Sequence, residues 1–501
     1  MQTLFLILLA CTSSKSTEDP IFLDLPPLPT ASEELEAAVR SEVHKPRWLS
    51  ISLMGEVRGE LEPCGCPTLP YGGFKRRETM LNEYSELFSH FHFDAGELLL
   101  KGFSTESQLN ASDRALTLAK LSKKMNVTVW TPGPSDLQAV GLDLLQELDG
   151  PQRISATWID HSGNWIFNPT AVVESGGIKV GVIGLSAPIL DPLQNKDLSF
   201  LDPKEAIPKA LKTLPEHLDL IIGLGSINDD KITSLRAQHP EISAYLTTRG
   251  GSYDEPRSNG KVATIIEAPE RGRYVQQIYI RLGSTPSTPL FNPIETQDWR
   301  ELIVKRQKDA ASGHSFKEPD LFKQEGSGLN IFYNELIALN KSFDYGAHTE
   351  TDDLLSDFRT FQLEQAQVQA KKPLEPLKKG YASVGACVRC HTKEMAKWSL
   401  TKHARAWEAL VQKKETDNPE CIGCHSTGFS QPGGFGELSQ LNIRRFQAVQ
   451  CESCHGPMQG HPDEESVQST PISKDTCTGC HDEANSPSFD WSTYLHKSTC
   501  Q

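Results

Sequence analysis

Eight of the twelve cysteines fall in four copies of one pattern, Cys-x-x-Cys-His. The copies are Cys387-Val-Arg-Cys390-His391, Cys421-Ile-Gly-Cys424-His425, Cys451-Glu-Ser-Cys454-His455 and Cys477-Thr-Gly-Cys480-His481. Two thiols three positions apart can each form a thioether to one haem, and the adjacent imidazole is left pointing at its iron. The competing chemistry is two tetrahedral Cys₄ zinc sites. Zinc gives no reason for a His after every second Cys; with 15 His in 501 residues, four chance placements have odds of roughly one in a million. The pattern implies four covalent c-type haems.

Each iron needs a sixth ligand or stays open. Ala396, Leu400, His403, Trp407, Leu410 and Val411 recur at helical spacing, which predicts a helix with His403 on its apolar stripe. His461, after a short Gly/Pro loop behind the third motif, is a second candidate, and His496 near the end is a third. Four irons against three candidates leave one haem open to a small ligand or completed from outside, for example by His314 or His348; Cys500 stands near the chain end.

The context of these motifs resembles the cytochrome c-552/4 (c554-like) tetrahaem family. Carried residues are Trp398, Lys402-His403-Ala404, Ser426-Thr-Gly-Phe429, Gly456-Pro457 with His461, and Ser486-Pro487. The resemblance, from about Gly380 onward, implies stacked and mostly bis-His haem pairs.

Upstream, from Trp48 to about Leu282, apolar runs alternate with helical patterns, which predicts a layered α/β domain with buried sheets. Strands are expected at 48–54, 90–94, 127–130, 154–158, 179–185, 218–224, 262–268 and 275–282, with helices at 75–88, 111–124, 136–148, 203–213 and 230–238. Gly59–Cys66, Gly72-Gly73-Phe-Lys-Arg-Arg77, Phe93–Gly96, Ile154–Thr157, Gly177–Gly184 and Leu220–Leu224 resemble the metallophosphatase domain of the 5′-nucleotidase family. That resemblance implies a four-layer αββα sandwich and a two-metal site.

The ligand positions depart from the family. Its Asp-x-His is here Glu56 and Arg58, its Gly-Asp is Gly96-Glu97, and its Gly-Asn-His-Glu aligns with Gly133-Pro134-Ser135-Asp136. The later Ser-His is Gly225-Ser226, and Gly-His-x-His is Thr248-Arg249-Gly250-Gly251. An Arg has no lone pair for a metal, and Glu56, Glu97 and Asp136 alone do not make a two-metal clamp. A non-hydrolytic descendant is expected. Arg58 and Arg249 either bind a small anion or salt-bridge Glu56 and Glu97. Cys64 and Cys66, in a Pro-Cys-Gly-Cys-Pro turn, are a strained disulfide, a soft-metal pair or inert thiols.

The remaining segments complete the expectation. Residues 1–11 end in Leu-Leu-Ala-Cys11, resembling a lipoprotein signal with Cys11 as lipidation site, and 12–47 is a polar, Pro-bearing tether. Residues 48–290 form the metallophosphatase-like domain, 291–380 a helical bridge with helices at 299–311, 329–339 and 352–369, and 381–501 a mainly α, haem-packed cytochrome domain. A formal charge of -15 argues against nucleic acid as partner and for redox proteins. The expected function is electron transfer on the extracytoplasmic side, lipid-anchored to a bacterial membrane, the outer one favoured. The alternatives are reduction of a small nitrogen or sulfur species at an open haem, and metal-dependent phosphoester hydrolysis.

Overall fold

The computed structural model describes residues 47–63, 70–85, 89–99, 111–189, 197–227, 229–248, 262–283, 288–291, 330–373, 380–464, 467–482, 485–486 and 488–498. Cys11, Cys64, Cys66, Arg249, His314, Cys500, the tether and the 299–311 helix fall outside them.

The first half builds two sheets. Strands β1 (Trp48–Met54), β2 (Ser89–Asp94), β3 (Val127–Trp130) and β4 (Gln152–Arg153) run parallel, with helices α1 (Phe74–Ser85), α2 (Ala111–Lys124) and α3 (Pro134–Glu147) as the crossovers between them. A small antiparallel pair, β5 (Trp158–Ile159) and β8 (Ser199–Phe200), lies outside the large sheets; in between come β6 (Thr170–Ser175) and β7 (Ile178–Gly184). The second sheet has the order β11-β10-β9-β7-β6, where β9 is Leu220–Gly225, β10 is Ala244–Thr248 and β11 is Thr264–Ala268; α4 (Pro203–Leu211) and α5 (Asp229–Leu235) connect its parallel strands. The first sheet is completed by β12 (Tyr274–Arg281), β13 (Leu290–Phe291) and β14 (Asn330–Ala338), in the order β13-β14-β12-β1-β2-β3-β4.

Three apolar clusters define the layers. One, from Leu49, Ile51, Phe93, Val182, Leu224 and Leu246, lies between the two sheets. A second packs the outer face of the first sheet on α1 and α2 through Phe74, Met80, Leu118 and Trp130, and a third packs the second sheet on α4 and α5 through Ile183, Ile207 and Ile232. The body is the expected four-layer αββα sandwich.

Several local expectations need correction. Helical spacing predicts a helix over 329–339, but Asn330–Ala338 is a strand paired antiparallel with β12. Ile331, Phe332 and Ile337 are all buried, and an open strand edge offers this Ile- and aromatic-bearing segment a ladder that outweighs its helical spacing. The sandwich thus extends past residue 290. The 154–158 strand is replaced by β4 and β5, because the chain turns at Ser155, whose hydroxyl accepts from the Trp158 amide. Strands β6 and β10 have no counterpart in the sequence pattern: β6 is an edge with Val172 facing out, and β10 is a short, wholly buried run.

Helix α6 (Glu350–Ala370) is legible in the sequence and is closed by a capping box, in which the Asp352 carboxylate accepts the Thr349 amide at 2.8 Å. Its first half places Leu355 and Phe358 in the sandwich core, and farther along Leu363 packs on a C-terminal cluster of Trp407, Leu410, Ile422, Phe435 and Phe446. The C-terminal region is built of short helices: α7 (Val384–Cys387), α8 (Thr392–Trp398), α9 (Ala406–Lys413), α10 (Pro419–His425), α11 (Gln440–Phe446), α12 (Cys451–His455), α13 (Lys474–Thr478) and α14 (Trp491–Ser498). The single helix expected across 396–411 is broken, since α8 ends at Trp398 and a 3-10 turn at His403–Arg405 precedes α9. Leu400 and Val411 consequently lie exposed, off the buried face.

Candidate functional site

Each Cys-x-x-Cys-His sits in or at the end of one helical turn. The His391 amide donates to the Cys387 carbonyl at 3.0 Å and the His481 amide to that of Cys477 at 2.8 Å. In such a turn positions i, i+3 and i+4 share a face, so both sulfurs and the imidazole are presented together. Cys451 hydrogen-bonds the Cys387 thiol and, outweighing burial, holds it down at about 7, so the first and third motifs adjoin.

The structure brings two of the three distal candidates onto motif histidines. The His391 and His461 rings have centroids 6.4 Å apart with planes inclined by 26°, and the His403 and His481 rings 6.0 Å apart, inclined by 50°. Two imidazoles on opposite faces of one metal ion, each bonded through nitrogen at about 2 Å, have ring centres roughly 6 Å apart. Both pairs fit that spacing. Burial, then His481 itself, lowers the His403 pKa, and burial lowers that of His481, so both favour the neutral form a metal binds.

Two motif histidines have their other ring nitrogen tethered, as oriented metal ligands require. His481 Nδ1 lies 2.8 Å from Ser486 Oγ, and the ring is stacked on Phe489 at 5.5 Å with Tyr494 edge-on at 5.1 Å. His425 Nδ1 is 2.6 Å from the Ala406 carbonyl, which fixes its donating tautomer and turns Nε2 the other way. His455 is half-buried at the end of α12, and His496 is exposed on α14. His348 is also exposed and pairs with Asp353 at 2.8 Å, away from this duty. Ser486 lies in a quoted motif, but nothing in the sequence assigns it this role.

Glu452, inside the third motif, is a further functional residue that sequence reasoning does not single out. Buried, its carboxylate accepts the backbone amides of Ala382, Ser383 and Met458 at 2.8, 2.7 and 2.8 Å. It thereby ties the segment entering the first motif to the third. A charged residue between two cysteines that have to be covered is the available signal.

The acidic positions Glu56, Glu97 and Asp136 of the sandwich look different. Arg58 Nη2 pairs with Glu56 Oε2 at 2.8 Å, one of the two arrangements expected for it. Glu97 accepts from the Ser135 amide at 3.1 Å and from its hydroxyl. Asp136 accepts the amides of Glu97, Leu99 and Gly133 at 2.9, 2.7 and 2.8 Å. Burial raises the carboxyl pKa of Glu56, Glu97 and Asp136, and pushes that of Asp94 up to about 7. Among the described residues no group of three or more His, Cys, Asp or Glu is placed to hold a metal ion. Glu56, Arg58 and Glu97 keep φ of 46°, 51° and 59°, strained values for side-chain-bearing residues.

Comparison with known proteins bears on the two halves separately. Residues 386–456 match the profile of the family described as cytochrome c554 and c-prime. Over this stretch the C-terminal segment is similar to the cytochrome c554 family. Cytochrome c-554 of Nitrosomonas europaea is 37% identical over 86 residues, 14% of this chain and 36% of that relative, so the match spans about a third of the relative's length. The solved reduced state of that organism's cytochrome c554 aligns with 23% of this chain and 71% of its own, at 22% identity and a TM-score of 0.19. The sandwich is similar to a 5′-nucleotidase precursor from Thermus thermophilus, at 16% identity and a TM-score of 0.43, covering 70% of this chain and 66% of that one. The cytochrome c554 match and the repeated Cys-x-x-Cys-His pattern together support covalent attachment of haem c.

Proposed function

We propose that this chain is a multihaem c-type cytochrome that transfers electrons on the extracytoplasmic side of a bacterial membrane. The observation that carries the reading is the pair of histidine couples at 6.4 and 6.0 Å. Four haems attach at Cys387/Cys390, Cys421/Cys424, Cys451/Cys454 and Cys477/Cys480, and each supplies a one-electron iron couple at the potential its ligands set. His391 and His461 hold the first, His481 and His403 the fourth, and His425 and His455 are the proximal ligands of the second and third. His496 is the remaining distal candidate.

The paired imidazoles of His391/His461 and His403/His481 would hold a haem iron, which when bound would supply a one-electron couple suited to electron passage. The sandwich acts as a catalytically silent partner-docking or anion-binding body, because its acidic groups are engaged by Arg58, Ser135 and backbone amides. Redox proteins are the partners, and Cys11 carries the lipid that anchors the chain, with the outer membrane favoured. No described helix is long and apolar enough to cross a membrane.

A second reading rests on ligand supply. Four irons face three distal histidine candidates, so unless a histidine from outside such as His314 completes the set, one haem is open to a small nitrogen or sulfur species that it reduces. Electron paramagnetic resonance of the purified holoprotein tests both. Only low-spin ferric signals support the carrier; a high-spin signal that shifts with nitrite or nitric oxide supports the reductase.

A further inference from the structure

The two halves meet at a buried ion pair. Arg114 on α2 of the sandwich lies 2.5 Å from Glu420, with side chains 5% and 12% exposed. Glu420 is the second residue of α10 and the direct neighbour of Cys421, the first attachment cysteine of the second motif. Arg114 also donates to the carbonyl of Gly59 at 2.9 Å and stacks over Phe358 of α6 at 5.3 Å. The same guanidinium therefore joins the loop after β1, the connecting helix and the motif helix. Beside it Arg359 of α6 pairs with Glu62 at 2.8 Å and approaches Glu415 at 3.6 Å.

An ion pair in this position needs a reason. Buried pairs are weak contributors to stability, because desolvating two charges offsets their attraction, and an apolar contact of equal volume does as well. What a pair does better is fix register and place charge where salt and water screen it much less than at the surface. Burial, against Arg359 and together with the nearby Glu420 carboxylate, raises the Glu62 pKa, in keeping with the closeness of these charges.

We propose that Arg114 is a positioning residue for the second haem motif: acting through Glu420, it fixes α10 on the sandwich and sets the reduction potential of the haem attached at Cys421 and Cys424. The phosphatase-like fold then has a function that needs no hydrolysis, as the electrostatic scaffold of one redox centre. The inference rests on the haem reading above.

Potentiometric titration of the full-length holoprotein, followed by visible and electron paramagnetic resonance spectra, tests it. Arg114→Met leaves a buried carboxylate beside the motif and favours ferric iron, so one couple of the four moves to lower potential. Glu420→Gln leaves the guanidinium and moves the same couple up. A tenfold change in the ferric/ferrous ratio at fixed potential, about 59 mV for one electron, is the scale expected. The double variant returns toward the parent. Arg114→Lys keeps the charge while losing the fork, and serves if Arg114→Met does not fold; it is expected to hold the parent potential while the protease resistance of the domain junction falls. Shifts of the same sign in both single variants, equal movement of all couples, no movement, or an Arg114→Lys shift as large as one charge removal would overturn the proposal. Four haems with unmoved potentials refute this scaffold alone, whereas a chain lacking haem refutes the electron-transfer reading itself.

Discussion

The acidic cluster of the sandwich and the histidine couples of the C-terminal domain are both clusters of potential ligands, and they are organised in opposite ways. In the sandwich, Glu56 turns to Arg58, Glu97 to Ser135, and Asp136 to three backbone amides. Every acceptor named there is answered by the protein. In the C-terminal domain the His425 and His481 rings are tied down through Nδ1, to a carbonyl and a hydroxyl, and Nε2 is left for something else. Ligand-type residues indicate a binding site only when their lone pairs point away from the protein's own donors.

The largest effect expected from breaking this contrast is at the attachment cysteines. Replacing Cys451 and Cys454 by Ala removes one of four haems, and the haem-to-protein ratio measured by pyridine haemochrome falls by about a quarter. Unchanged haem content would deny the third motif its role. Next comes His461→Gly, which leaves His391 as the one protein ligand of the first haem. One low-spin ferric signal of the holoprotein becomes high-spin while the His403/His481 couple keeps its own; no change in spin state would dissolve the 6.4 Å couple.

Acid–base behaviour sharpens the comparison from the sandwich side. Burial, against the Gly96 amide, pushes Asp94 up to about 7, while an unfolded Asp titrates near about 4. Between these values the folded chain holds a proton that the unfolded chain has released. The contribution of Asp94 is thus fully present below about pH 4 and is lost as pH rises through about 7, by up to a few kcal/mol. The denaturant midpoint of the parent relative to Asp94→Asn is therefore expected to fall as pH rises from 5 to 8, which isolates Asp94 from the opposing slope of half-buried His90 and buried His92. A parent-to-variant difference that stays constant over this range would contradict the buried-carboxyl account. The smallest effect is Arg58→Gln: the pair is more than a third exposed on the Arg side, so its loss costs about 1 kcal/mol or less and leaves the haem potentials alone.

The sequence carried the chemistry more plainly than the connections. Covalent attachment requires two cysteines and a histidine within five residues, so the motifs could be read without knowing any fold. The crossover helices α1 to α5 were legible because their apolar stripes pack on sheets that the same sequence predicts. Asn330–Ala338 was not, since its partner β12 lies about fifty residues earlier and spacing alone does not reveal an open edge. The broken helix around His403 failed for a related reason: the chain bends so that His403 meets His481, a contact nearly eighty residues away. Arg114 and Glu420 are each an ordinary surface-type charge in sequence, and only the fold buries them together.

The central claim is that the C-terminal domain holds iron between histidines while the acidic cluster of the sandwich is taken up by the protein's own donors. Metal and spin-state analysis of one purified holoprotein sample tests it most directly, by counting iron, zinc and haem per chain alongside the ferric resonance spectrum. The account predicts four irons, all as covalent haem, with low-spin signals from the His391/His461 and His403/His481 couples and no metal bound by the sandwich. A colourless chain, zinc in place of iron, or a two-metal centre in the sandwich would contradict it.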